Sequence, residues 1–226
     1  IDDRAAWYDL VLIARYYIAE KYIAAIRKSA PNTLLVFDTV DLHYLRNQRL
    51  AELEKDQSIA ETAEKIRHRE LTVIQQTDIT LVVSPVEKTI LAQELPKKNV
   101  MVLSNIHSVK GSQKCFTERA GMLFIGGFRH PPNVDAVQWY ATEILPILRQ
   151  TLPGVTTTII GSNMPDHLKA LAAPDLQILG YVPEVDDYLN QARISISPLR
   201  YGAGVKGKVN QAMSHGLPVV ATSPSI

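Results

Sequence analysis

The chain has 226 residues, 46% of them hydrophobic and 21% charged, with a formal net charge of +1 at pH 7. That length allows one large or two modest domains with sizeable cores. Near-neutrality in both halves excludes the one-sided basic face that grips a nucleic-acid backbone. The single cysteine, Cys115, excludes an internal disulfide and fits a reducing compartment. No apolar run reaches the ~18 residues of a membrane-spanning helix, and no stretch has the pattern of a signal peptide. The chain begins at Ile1 in what reads as the middle of a domain and stops at Ile226 just after a strand, the pattern expected of a fragment.

In chain order, strands and helices alternate. Tyr8 to Ala14 reads as a strand, Tyr16 to Lys28 as an amphipathic helix and Leu34 to Phe37 as a short buried strand. Leu45 to about Gln76 is long and charged, with Leu50, Leu53, Ile59, Ala63 and Ile66 at helical spacing. A strand at Ile79 to Val83, a helix opened by Ser84-Pro85 and a strand at Val100 to Leu103 follow. Ser104 to Ala120 is polar and aperiodic and reads as a linker.

The alternation then restarts. Strands are expected at Met122–Ile125, Val155–Ile160, Leu176–Leu179, Ile194–Ser197 and Val219–Ala221. Helices are expected from about Asn133 to Leu152, near Asp166 to Ala172, and over Glu184–Gln191. Strands separated by helices imply parallel sheets built from βαβ units, whose ligands lie at the carboxyl ends of the strands.

The most informative stretch is SPLRYGAGVKGKVNQAMSHGLPVVAT, Ser197 to Thr222. A strand ends at Pro198, a loop carries Gly202 and Gly204, and a helix begins near Lys206. Glycines let backbone amides approach a ligand, and a helix N-terminus offers unpaired N–H groups with partial positive charge. Lys206 and Lys208 add full charges there. The pattern is either a phosphate site or a plain strand-to-helix connection.

Taken whole, this stretch resembles the donor-sugar loop of the group-one (family-four) glycosyltransferases of GT-B fold. The resemblance extends to FIGGFRHPPNVDAVQWY (Phe124 to Tyr140), IIGSN (Ile159 to Asn163) and LGYVPEVDDYLNQA (Leu179 to Ala192). It is looser before the linker, where it rests on Asp38-Thr-Val-Asp-Leu42, Val82 to Lys88 and Met101 to Asn105. It implies an α/β protein of two Rossmann-like parallel-sheet domains. The amino-terminal, acceptor-side domain would be residues 1–106 and incomplete. The carboxy-terminal donor domain would be residues 107–226 and truncated at its end.

It also implies site residues. Gly126 and Gly127 would lie against a phosphate, or serve as turn glycines, with Arg129 toward the diphosphate. His130-Pro-Pro-Asn133 would open a helix with Asn133 as its cap. Gly161 would end a strand beside the donor, Tyr181 frame the base by ring contact and Val182 by main-chain hydrogen bonds. Tyr201, Gly202, Gly204, Val205, Lys206 and Lys208 would form the donor loop, with Lys206 also catalytic. The two acidic positions of the family pattern fall on Ala203 and Gln211, and Gln211 retains the capacity to hydrogen-bond a ribose. Val40 stands where the family places a histidine toward the transferred sugar; His43, two residues later, is the candidate replacement. Asp38 and Asp41 are acceptor contacts or turn residues.

The expected function is transfer of a sugar from a nucleotide-diphosphate sugar to an unidentified glycan, lipid or small-molecule acceptor, by a retaining route without a metal. The alternatives are a sugar-nucleotide epimerase or phosphorylase of the same architecture, or a non-catalytic nucleotide-sugar-binding module. No cofactor beyond the donor substrate, no metal set and no nucleic-acid partner are expected. The expected location is cytoplasmic, with peripheral attachment at the inner face of a membrane left open.

Overall fold

The structure, a computed structural model, describes residues 7–225. These fall into two compact units, residues up to Asn105 together with Gly202–Val205, and Ile106–Tyr201 together with Lys206 onward.

The first unit is a four-stranded parallel sheet in sequential order: β1 (Leu10–Ala14), β2 (Leu34–Asp38), β3 (Ile79–Val82) and β4 (Asn99–Val102). Helix α1 (Tyr16–Ser29) buries Tyr16, Ala19, Ile23 and Ile26, the three-and-four spacing of one helix face. These pack on Leu35 and Phe37 of β2 in a core shared with Val73, Ile74 and Leu91. The charged stretch after β2 is two helices, α2 (His43–Glu54) and α3 (Gln57–Gln76). Lys55 ends the first in the left-handed region (φ 54°), and the Asp56 side chain caps the second by accepting from Ser58 and Ile59. Helix α4 (Pro85–Glu94) begins with Ser84 Oγ accepting from the Glu87 N–H at 3.2 Å, as Ser-Pro predicts.

The second unit is a five-stranded parallel sheet. Its strands are β5 (Met122–Ile125), β6 (Thr157–Ile160), β7 (Leu176–Gly180), β8 (Ile194–Ser197) and β9 (Val219–Ala221), in the order β7-β6-β5-β8-β9. Alternate residues of its central strands face opposite layers. Phe124, Ile159 and Ile196 join one core, and Leu123 and Ile160 join another with Leu189, Ala212 and Leu217. The helices are α5 (Pro131–Trp139), α6 (Leu145–Thr151), α7 (Asp166–Lys169), α8 (Asp186–Gln191) and α9 (Gly207–Ser214). Where the sequence suggests one helix over Asn133–Leu152, a π-helical turn at Tyr140–Ile144 separates α5 from α6. It lies just before Pro146, which has no N–H to continue an α-helical ladder.

Part of the expected linker is ordered structure of the second unit. A helical turn at Phe116–Glu118 leads to Arg119, 2% exposed, whose Nη2 donates to the His215 carbonyl at 3.1 Å and to Ser112 Oγ at 2.7 Å. Its polar sequence and lack of periodicity hid this, because the tie is a single buried arginine and no apolar face.

Candidate active site

Strand order places the site. In the second sheet the chain winds outward from β5 through β6 to β7, then returns to lay β8 on the other side of β5. The connections diverge at this switch point, leaving a crevice at the carboxyl ends of β5 and β8. The loops that follow those strands are the glycine segment after Ile125 and the donor-like loop after Ser197.

Two of the glycines, Gly126 and Gly161, are placed by close approach, and Gly127 is open. The Gly126 N–H donates to the Ile160 carbonyl at 2.9 Å, and the Phe128 N–H to Ser162 at 2.9 Å, so the loop runs along the end of β6. A Cβ on Gly161 would sit 1.8 Å from the Gly126 carbonyl oxygen, a distance no side chain tolerates. A Cβ on Gly126 would come within 2.8 Å of Asn133 Nδ2. Gly127 is exposed with room above it, its nearest neighbour being Ser162 Oγ at 3.8 Å, so its backbone is open to a ligand.

Asn133 is not the cap that its position suggests. The α5 cap is His130, with Pro131 and Pro132 in the first turn. Asn133 is 5% exposed; its Nδ2 donates to the Gly127 carbonyl at 2.8 Å, and its Oδ1 accepts from Lys208 Nζ. Prolines at the first two helical positions have no N–H for a cap side chain to accept from, and the asparagine faces inward instead.

Lys208 reaches this amide from the first turn of α9. Its nitrogen lies 4.3 Å from the centre of the Phe124 ring. Burial first, and the charge of Lys206 second, push its pKa down to about 7. Lys206 caps α9 with an extended backbone and makes no cap hydrogen bond with its own side chain, and the first turn holds no acid. The α9 terminus therefore keeps its positive end. Nearby on the same loops, Arg200 pairs with Asp135 of α5.

Gly126, Gly127, Gly161 and Lys208 thus come together around Asn133, with Lys206 beside them. The other sequence candidates are placed differently. Tyr181 is 70% exposed, while Val182 packs on the core of Leu123 and Leu189. Arg129 is exposed. Tyr201 is 4% exposed, so its ring is a packing group and not a stacking surface. Gln211 is half-buried in α9, its carbonyl accepting from Ser214 Oγ at 2.7 Å. Gly202, Gly204 and Val205 group with the first unit, where Gly204 (φ 68°) has no space for a side chain: a Cβ would lie 3.0 Å from the Asp41 Cβ.

His43, the candidate for facing the transferred sugar, is the first residue of α2 and is 7% exposed. Its Nδ1 is 3.1 Å from the Asp41 carbonyl and 3.3 Å from Glu70 Oε1, and its ring stands edge-on to Tyr16 and Tyr17. These contacts make it part of the α2 foundation, and it stands in the helix itself, not in the loop before it. Around it, two buried carboxylates satisfy the helix start. Glu70 accepts from the N–H groups of His43 and Tyr44 at 3.1 and 2.9 Å, and Glu87 from Leu42 at 3.1 Å. Val40 has φ 66°, an outlier for a β-branched residue, with its N–H donating to Asp38 Oδ1 at 2.9 Å. Asp38 and Asp41 therefore serve the turn and, through the Arg46–Asp41 contact at 3.2 Å, the start of α2.

Comparison with known proteins shows what this arrangement is similar to. Residues 119–225 match the group 1 glycosyl transferases. An uncharacterised 44.6 kDa protein in the cps region of Klebsiella pneumoniae is 31% identical over 111 residues, covering 45% of this chain and 29% of that protein. Among solved structures, TarM is similar at TM-score 0.74 and 14% identity, over 97% of this chain and 42% of its own. Anabaena Alr3699/HepE, crystallised with UDP-glucose, is similar at TM-score 0.66 and 15% identity, over 98% of this chain and 62% of its own. The chain thus spans less than two thirds of each of these proteins, and the solved structures share its α/β fold of two parallel sheets, that of GT-B glycosyltransferases. Residues 119–225, which hold the glycine loop, Asn133 and both lysines, are thus the part of the chain that is similar to the group 1 glycosyl transferases.

Proposed function

We propose that this chain is the nucleotide-binding portion of a glycosyltransferase that moves a sugar from a nucleoside-diphosphate sugar to an acceptor. The observation that carries the reading is the meeting of Gly126, Gly127, Gly161, Asn133 and Lys208 at the switch point of the second sheet. The family match of residues 119–225 and the UDP-glucose complex of a protein of similar fold support it. Transfer requires a diphosphate to leave with its electron pair. Lys206, Lys208 and the amides opening α9 supply fixed positive charge for that departure, the electrostatic work a metal does elsewhere. The backbone at Gly127 would lie along the phosphates and Gln211 would hydrogen-bond the ribose. The family resemblance implies a retaining outcome and an acceptor bound by the first unit, and the acceptor is a glycan, a lipid or a small molecule. Among the described residues no helix is long and apolar enough to cross a membrane; a cytoplasmic enzyme, working there or at the inner face of a membrane, fits the sequence.

A thermal-shift panel of nucleosides, nucleoside diphosphates and nucleotide sugars tests this reading. A ligand that prefers the folded state raises Tm by mass action. At least one diphosphate and its sugar should raise Tm where the parent nucleoside does not. Absence of any diphosphate-dependent shift would overturn the reading.

A further inference from the structure

The Asn133–Lys208 contact has a chemical consequence beyond phosphate recognition. The orientation of the Asn133 amide is fixed by its other end: Nδ2 donates to the Gly127 carbonyl, so Oδ1 is the atom turned to Lys208. The lysine nitrogen is therefore held by a neutral acceptor and by the face of the Phe124 ring, with no carboxylate among the described residues. On the elements around it, β5 carries no titratable side chain, and the only acid of α5, Asp135, pairs with Arg200. The loop after β5 brings Arg129 and His130, and Lys206 adds a like charge from the α9 cap. An ammonium here has only the neutral Asn133 oxygen and the ring to compensate it, and no anion among the described residues, against burial and the repulsion of Lys206. A diphosphate would reverse the balance by placing opposite charge at the same loops.

We propose that binding of a nucleoside diphosphate to the second unit is accompanied by uptake of one proton at Lys208, with Asn133 as the residue that holds the neutral amine in readiness. The nitrogen lone pair takes a proton from solvent, an N–H bond forms, and the ammonium so made faces the phosphate oxygens. The inference rests on the reading of the second unit as a diphosphate site and adds to it a definite linkage. Affinity should fall as pH rises above neutrality, and bound diphosphate should keep Lys208 charged. Asn133 is a positioning residue in this account, since it acts through the lysine.

The test is calorimetry of the whole chain with UDP, GDP and ADP at pH 8 in buffers of different ionisation enthalpy. The slope of observed heat against that enthalpy counts protons. At pH 8 the free diphosphates are already ionised, so uptake reports the protein. With the lysine pKa at about 7, linkage predicts uptake of about 0.9 proton at pH 8, falling toward zero below pH 6. Lys208→Met should abolish uptake, and so should Asn133→Asp, which gives the free protein a charged lysine from the outset. Because either variant can weaken binding, the ¹³Cε resonance of Lys208 in the wild-type chain is followed independently; it should titrate near neutrality in the free protein and move to higher pH with ligand. Binding without uptake, uptake that survives Lys208→Met, or a lysine titrating at the ordinary value of about 10.4 would overturn the inference. Failure of all three diphosphates to bind would instead overturn the functional reading beneath it.

Discussion

The two units each open a helix at the carboxyl end of a parallel strand, yet they finish it in opposite ways. In the first unit the start of α2 is filled from within. The carboxylates of Glu70 and Glu87, both 1% exposed, take the N–H groups of Leu42, His43 and Tyr44. In the second unit the start of α9 carries Lys206 as its cap, no acid in its first turn and Lys208 one step inside. Both solve the same problem, a set of unpaired amides with positive potential. Where the protein supplies its own anions the helix is a structural anchor. Where it adds more positive charge instead, stability is given up, and the proposed function makes a ligand's phosphates the balancing anion.

The largest effect expected from breaking this contrast is steric. Gly161→Ala puts a methyl group against the Gly126 carbonyl, and the end of β6 must move away from the glycine loop. Overpacking against backbone costs roughly 3 kcal/mol or more. Denaturant unfolding followed in the second unit should show that loss, with diphosphate binding lost alongside it.

Glu70→Ala should come next. It leaves two buried N–H groups without an acceptor, at about 1–3 kcal/mol for each such group. The first unit should lose stability while the diphosphate affinity of the second stays within about twofold. An equal loss of affinity would mean that the α2 clamp is not merely structural.

Lys208→Met should act in the other direction and more weakly. The folded lysine has its pKa lowered to about 7, against an ordinary value of about 10.4 in the unfolded chain. Between these values the unfolded chain binds more protons, so the lysine's penalty is full below pH 7 and disappears as pH rises toward 10. Without ligand, the methionine variant should be more stable than the wild type at pH 7; linkage sets an upper limit of roughly 4 kcal/mol, and the Asn133 oxygen left without its donor offsets part of it. The gap should close by pH 10. A constant gap across that range would assign the gain to packing.

Much of this was legible in the sequence, for reasons particular residues make plain. The strands at Met122, Ile194 and Val219 are short apolar runs closed by glycine, proline or polar residues, and they begin and end where the pattern puts them. Ser84-Pro85 marked its helix. What remained hidden depends on tertiary partners. Glu70 and Glu87 look like solvated helix residues, because nothing local shows that they reach α2. Asn133 sits where a cap is expected, and only the contact with Lys208 reveals its use. The break at Lys55-Asp56 carried a readable signal in Asp56 and Ser58, which the unbroken apolar spacing on either side obscured.

The central claim is that the open helix terminus of the second unit takes the phosphates. It is tested most directly by calorimetry of UDP and uridine with the wild-type chain and with Lys206→Ala. Charge-assisted hydrogen bonds of this kind are worth roughly 1.5–3 kcal/mol. UDP affinity should therefore fall about tenfold to a hundredfold in the variant, with uridine affinity unchanged. Equal losses for both ligands, or no loss for UDP, would contradict the account.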